Sequence, residues 1–144
     1  MNIVHVVGTG TIGEPLIGLL TDFRKELGID EVTFSKRTPL LTDRTKVWDL
    51  LKRDAKLCAE KEKWKKFQEL EMEPTYEYEE GIRRASVVID CTPRGTGLDN
   101  KKKFYERIKG PLGFIAQGSE FGFGPIYAHG INDAAFTEPQ RYVH

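Results

Sequence analysis

"VVGTGTIGEPL", residues Val6 to Leu16, joins an apolar run to three glycines in the order G-x-G-x-x-G and then to a stretch of helical character. Upstream, Ile3 to Val7 is rich in β-branched residues and apolar on both faces apart from His5, the pattern of a parallel strand buried between two layers. Downstream, Glu14 to Leu27 carries Leu16, Ile17, Leu19, Leu20 and Phe23 at helical spacing. Pro15 is tolerated in the first turn, and Gly28 is placed to end the helix. Glu31 to Phe34 reads as a second strand, so strand, glycine turn, helix and strand fit into about 34 residues, the length of a βαβ unit.

In such a unit each glycine has its own reason. Gly8 permits the tight turn, Gly10 lets a pyrophosphate approach the backbone, and Gly13 lets the helix pack close to the sheet. The amides of Thr11 and Ile12 then open the helix, where unpaired N–H groups and the helix dipole favour a phosphate. A strand-to-helix turn that binds nothing is the plainer alternative. The position between a buried strand and a helix favours the binding site.

The same alternation continues. Leu41 to Ala55 is a second amphipathic helix with Val47, Leu50 and Leu51 on one face, and Lys56 to Ala59 a short strand. Glu60 to Met72 is a charged helix with a narrow stripe of Trp64, Phe67 and Leu70, and its charges alternate in sign, which suits i,i+4 pairs and not a nucleic-acid patch. Glu77 to Ala85 reads as a helix, Ser86 to Thr92 as a buried strand, Leu98 to Ile108 as a helix and Gly113 to Gln117 as a strand. From Gly118 the chain is rich in glycine and aromatics without a period, and reads as loops around one more strand. Alternating strands and helices predict an α/β fold, a Rossmann-like doubly wound and mostly parallel sheet with helices on both faces.

At 144 residues the chain has the length of one domain, so residues 1–144 are read as a single unit. Lys plus Arg and Asp plus Glu are both 22, which leaves no net charge to attract a nucleic acid or an anionic membrane. Cys58 and Cys91 lie in segments that read as interior strand and form no C-x-x-C pair, which suits a reducing compartment. Met1 to Val7 lacks a basic leader and reads as a first strand, and no run approaches the ~18–20 apolar residues of a membrane span. A soluble, cytoplasmic protein is the expectation.

The end of the second strand chooses between cofactors, because an NAD site places an Asp or Glu there to accept from the ribose 2′-hydroxyl. "FSKRTP", Phe34 to Pro39, offers Ser35, Lys36, Arg37 and Thr38 instead: two cations, two hydroxyls and no carboxylate. That set suits a 2′-phosphate, so NADP is favoured, with NAD as the alternative. Further on, "DCTPRGTGLDN", Asp90 to Asn100, leaves a buried strand where ligands sit outside the carboxyl ends of a parallel sheet, and Thr92, Pro93, Gly95 and Gly97 form a loop that could wall a cofactor.

"GTGTIG", "SKRTP", "VVIDCTPRGTGLDNKK" and "FIAQGSE", in this order, resemble the amino-terminal, cofactor-binding domain of the archaeal type of glyceraldehyde-3-phosphate dehydrogenase. Between Thr42 and Tyr78 only the helix pattern matches. The resemblance implies that Thr11 and Ile12 hold the pyrophosphate, that Thr92 and Pro93 lie against the cofactor, and that Gly118 comes close to the nicotinamide half. It also aligns "HGIND", with Asn132, to the segment before the family's catalytic region.

The chemistry it implies is oxidation of an aldehyde with phosphate through a thiohemiacetal and a thioester, which needs a nucleophilic cysteine, a base and cations for two phosphates. The family's cysteine stands in a Ser-Cys-Asn-Thr stretch beyond a segment like "RYVH", Arg141 to His144, so the catalytic half is expected outside these residues, and this unit is expected to be inactive alone. The implied partners are the dinucleotide, that catalytic domain and further copies in a homo-oligomer. Cys91 beside Asp90 on a buried strand, Cys58, and His5 on the first strand read as core residues. His129 reads as a loop hydrogen-bonder, and His144 has no chemical argument. No Cys/His spacing proposes a metal. Two other readings stay open: a stand-alone dinucleotide-sensing or interaction module without catalysis, and the cofactor domain of another aldehyde dehydrogenase, such as an aspartate-semialdehyde type.

Overall fold

The fold is built outward from β1, Ile3–Val7, whose residues are buried on both faces except for half-buried Val4. The computed structural model describes residues 1–118, 120–135 and 140–144. β1 pairs in parallel with β2, Glu31–Ser35, on one side and with β5, Val87–Asp90, on the other. β3, Lys56–Ala59, and β4, Pro74–Glu77, extend the sheet beyond β2, while β6, Gly113–Ala116, and β7, Tyr142–Val143, extend it beyond β5. The order is β4-β3-β2-β1-β5-β6-β7 and every pair is parallel, so the expected Rossmann-like α/β fold is what forms.

Among the described residues five α-helices accompany the strands: α1, Gly13–Asp22; α2, Arg44–Lys52; α3, Trp64–Glu69; α4, Tyr78–Arg84; and α5, Thr96–Asn100, which continues into a π-turn over Lys101–Tyr105. Two cores result. One gathers Ile17 of α1, Val47 and Leu50 of α2 and Phe67 of α3 against Val6, Val32, Phe34 and Leu57. The other packs Ile82 of α4 with Tyr105, Ile108, Phe114 and Phe123 against Val7 and Val88. Alternate residues of β1 therefore serve opposite layers, as a sheet covered on both faces requires.

Most helices are shorter than the periodicity predicts. The helix predicted over Glu14 to Leu27 ends at Asp22, because beyond it Phe23 and Leu27 stay exposed and offer no anchoring burial, and Gly28 closes the segment at φ +65°. The helix predicted from Leu41 begins as a 3-10 turn, Leu41–Asp43, and Asp54 at φ +73° ends it early. The helix predicted over Glu60 to Met72 is a 3-10 turn plus six α-helical residues. The chain reverses at Glu71 and drops Met72 into the core. β4 was not expected: it has four residues, starts at Pro74 and lies at the sheet edge, where a missing N–H is tolerated. The last strand lies at Tyr142–Val143, later than the aromatic stretch in which it was sought. Cys91 stands one residue past β5 and is half-buried, not inside the strand.

Candidate functional site

The sheet order reverses between β1 and β5, and the first crossovers on either side run away from each other there. A crevice opens at such a point beyond the carboxyl ends of the strands. A cavity of about 430 Å³ occupies it, within the range of small-molecule sites. Val7, Gly8 and Thr9 from the end of β1 line it, with Ser35, Lys36, Arg37 and Thr38 from the end of β2 and Thr92, Pro93 and Thr96 from the loop after β5. Seven residues singled out in the sequence thus meet on one cavity: Gly8, Ser35, Lys36, Arg37, Thr38, Thr92 and Pro93.

The others occupy different places. Gly10, Thr11 and Ile12 follow the lining residue Thr9 at the entrance to α1, and Thr11 and Ile12 are exposed. No side chain caps α1 at Ile12; in its first turn the Glu14 amide donates to the Gly10 carbonyl at 3.1 Å and Pro15 has no N–H, which leaves the amides at the very start of the helix as the ones open to an anion. A Cβ on Gly10 would meet nothing within 4 Å, which leaves the backbone open to close approach. Gly13 is buried beneath the turn and does not line the cavity. Gly118 lies past β6 at φ +73°, away from the lining, and its carbonyl is hydrogen bonded to the His144 ring. Ser119 of "FIAQGSE" lies outside the described residues.

The basic turn is organised unequally. Lys36 is only 8% exposed. Its ammonium pairs with Asp43 and donates a long hydrogen bond to Thr9 Oγ1 at 3.4 Å. Arg37 is exposed and donates to Asn100 Oδ1 at 3.1 Å, with its guanidinium carbon 6.0 Å from the centre of the Tyr78 ring. Burial holds the Tyr78 phenol above its ordinary pKa, against the opposing pull of Arg37.

A buried polar network supports the floor. Asp90, 1% exposed, ends β5 and accepts from the Thr92 amide at 2.9 Å and hydroxyl, from Asn100 Nδ2 at 3.0 Å and from the Tyr105 hydroxyl at 2.6 Å. Burial and then the Asp90 charge push the Tyr105 phenol far above its ordinary pKa, so it stays a donor. Through Asn100 the network reaches Arg37, which ties the β2 turn to the β5 loop across the crevice. Glu120, also buried, accepts from the Gly95 amide and from the Leu98 amide at 2.5 Å, so the segment after β6 holds the start of α5. Gly97 makes room for this contact: a Cβ would stand 2.7 Å from Glu120 Oε2 and 3.3 Å from Asp90 Oδ1, so a larger residue would push the Glu120 carboxylate from its place. Removing the Glu120 carboxylate strands both amides. Glu120→Ala is expected to cost about 1–3 kcal/mol in urea denaturation, with Glu120→Gln recovering part of it.

Leu40 and Tyr78 also line the cavity; with Val7, Thr9, Thr96, Asp90, Asn100 and Glu120 they were not singled out as site residues. Position after a strand end could have flagged Thr9 and Thr96, and Asp90 as the last residue of β5. Nothing local marks Tyr78 or Glu120, which arrive from sequence-distant elements.

The cysteines and histidines serve the scaffold. Burial, followed by the nearby Asp90 charge, pushes the Cys91 thiol up to about 12, and burial pushes that of Cys58 higher. Neither is poised as a thiolate nucleophile. His5 is fully buried and hydrogen bonded through Nδ1 to Thr33 Oγ1 at 2.7 Å. His129 lies 3.3 Å from Asp133 in an exposed loop, and the Asn132 side chain braces that loop through the Ala128 amide and the Ile126 carbonyl. In the aromatic stretch Phe121 and Ile126 are exposed, but Phe123 is buried in the second core. No helix among the described residues is long and apolar enough to cross a membrane.

No family profile matches the chain. It is 28% identical over 142 residues to the glyceraldehyde-3-phosphate dehydrogenase of Pyrobaculum islandicum and 29% identical over 143 residues to that of Pyrobaculum neutrophilum. Each match covers 97% of this chain and 38% of the relative. A shorter match, 36% over 55 residues, joins it to the same enzyme of Pyrobaculum arsenaticum. The chain therefore spans little more than a third of the length of these curated relatives. Along nearly all of its own length the chain is similar to part of the archaeal glyceraldehyde-3-phosphate dehydrogenases, as its motifs suggested, and it carries that similarity on a parallel, doubly wound sheet.

Proposed function

We infer that this chain is the nicotinamide dinucleotide-binding unit of a phosphorylating, glyceraldehyde-3-phosphate dehydrogenase-like oxidoreductase, with NADP preferred to NAD. The observation that carries the reading is the cavity at the sheet's reversal point, lined jointly by the glycine turn, the basic turn after β2 and the Thr92–Pro93 loop. The residues fit the group. Gly8 holds φ +97°, Gly10 leaves its surroundings open, α1 begins uncapped, and Arg37 stands exposed at the cavity wall. When bound, the nicotinamide supplies hydride transfer. Thr11 and Ile12 would hold the pyrophosphate with backbone amides, Ser35, Arg37 and Thr38 the adenosine ribose and its 2′-phosphate, and Thr92 and Pro93 the flank of the cofactor, with Gly118 toward the nicotinamide half.

In this reading residues 1–144 act as one binding unit. The nucleophile, base and substrate-phosphate cations come from sequence outside it, since Cys58 and Cys91 are held protonated. Assembly with such a catalytic domain, in a cytoplasmic homo-oligomer, completes the proposal. Titration with NADPH and NADH tests it: binding of NADPH with preference over NADH supports it, and binding of neither overturns it. Arg37→Ala is expected to weaken NADPH roughly 10- to 100-fold, the worth of one charge-assisted contact, and to leave NADH within about twofold. Equal losses for both would remove Arg37 from the 2′-phosphate.

A further inference from the structure

We propose that Asp43 is a specificity-determining residue of the nucleotide site, which restrains NADPH preference by holding the Lys36 ammonium in an ion pair. The proposal rests on the dinucleotide reading above and deepens it.

Lys36 is the more buried of the two cations after β2, and the only polar contacts recorded for its ammonium among the described residues are with Asp43 and Thr9. Asp43 closes the 3-10 turn seven residues on and stands at the position before α2. An aspartate there ordinarily accepts from an amide of the helix's first turn, a contact worth about 0.5–2 kcal/mol. Here no side-chain cap forms, and the carboxylate turns to Lys36 instead. A buried ammonium without a partner is costly, which gives the pair its reason.

The geometry is one-sided. Lys36 lines the cavity together with Thr9, the other partner of its ammonium, whereas Asp43 does not, so a ligand in that space would approach the pair from the Lys36 side. A 2′-phosphate arriving there meets a lysine whose charge is already offset. Arg37, whose direct partners are the neutral Asn100 amide and the Tyr78 ring and hydroxyl, makes no ion pair among the described residues, and only the more distant pull of Glu60 offsets its charge. The pair thus divides two adjacent cations into one that serves the phosphate and one held in reserve.

The test is the dissociation constants of NADPH and NADH for the whole chain and for two variants, Asp43→Asn and Lys36→Gln/Asp43→Asn. Asparagine keeps the size and capping ability of aspartate while releasing Lys36. Asp43→Asn is expected to tighten NADPH about tenfold and leave NADH within about twofold, with the gain fading at high salt. The double variant is expected to match the parent for NADPH within about threefold, because the intact pair contributes little to the phosphate. Unchanged or weaker NADPH binding in Asp43→Asn overturns the proposal. Selective loss of NADH overturns it too, since Asp43 would then be accepting from the ribose. Should Asp43→Asn fail to fold, a tenfold loss of NADPH in the double variant still refutes it, by showing that Lys36 serves the phosphate while paired. A parent chain that binds NADPH separates all these outcomes from failure of the dinucleotide reading itself.

Discussion

Gly13→Ala is expected to destabilise the fold by about 3 kcal/mol or more and to abolish nucleotide binding with it. A Cβ at this position would stand 2.0 Å from the Gly8 carbonyl oxygen and 2.9 Å from its carbon, with Cys91 Cβ at 3.4 Å behind them. The obstacle is backbone, which cannot rotate aside as a flexible side chain can. Either α1 lifts from the sheet, opening the core around Ile17, or the Gly8 turn gives up its hydrogen bond to the Ser35 carbonyl at 3.3 Å. Gly10→Ala is the matched control. It has nothing within 4 Å and φ outside the left-handed region, so it is expected to keep the parent's Tm while weakening any ligand that approaches the backbone there. Thermal denaturation of the two variants, with nucleotide titration of Gly10→Ala, checks both halves. A Gly13→Ala chain as stable as its parent would show that helix and turn do not meet as described.

Acid is expected to unfold the protein from a higher pH than carboxylates alone would set, through His5. Burial lowers its pKa from 6.5 to about 3, and Nε2 has no hydrogen-bond partner among the described residues. The folded state therefore keeps the ring neutral while the unfolded chain takes up a proton below about pH 6.5. A group depressed in this way costs nothing above its unfolded pKa, and stability falls as pH drops through the window from about 6.5 to about 3. The slope approaches 1.4 kcal/mol per pH unit, for a total on the order of 5 kcal/mol. Chemical denaturation at pH 7.5, 6, 5 and 4.5 reads the upper part of that window before most carboxylates titrate. His5→Gln, which can keep a bond to Thr33 and does not titrate, is expected to flatten it. A parent and variant with parallel curves would place the acid sensitivity elsewhere.

His5 also shows where sequence reasoning reaches. Its place on β1 was enough to read it as core, because a strand apolar on both faces leaves no solvent side for the one polar residue. Its partner was not legible: Thr33 lies on the neighbouring strand, and only the register that sets His5 opposite Thr33 brings them together. The cavity divides in the same way. Gly8, the Ser35–Thr38 turn and Thr92–Pro93 each follow a strong strand signal, and a parallel sheet sends every strand's carboxyl end to one edge. That Lys36 would be claimed by Asp43, that Arg37 would reach Asn100, and that Glu120 would seize the α5 amides depend on how helices of sequence-distant segments settle on the sheet.

Helix lengths failed for a related reason. The periodicity that runs from Leu16 to Phe23 reaches beyond α1, yet the sheet beneath that helix is only about five residues deep, and a helix running past it has nothing to bury Phe23 against. β4 was missed because four residues at an edge, one of them proline, carry too little pattern to announce a strand.

By itself, then, the order of apolar runs, glycines and charges determined the class of fold, the central βαβ unit and the edge at which a ligand would sit, since hydrophobic period and backbone freedom are local properties. The pairing of charges in that edge, the burial state of each cation and the brace from Glu120 were decided only in three dimensions, because the energy of a charge depends on what surrounds it, and its surroundings come from everywhere in the chain.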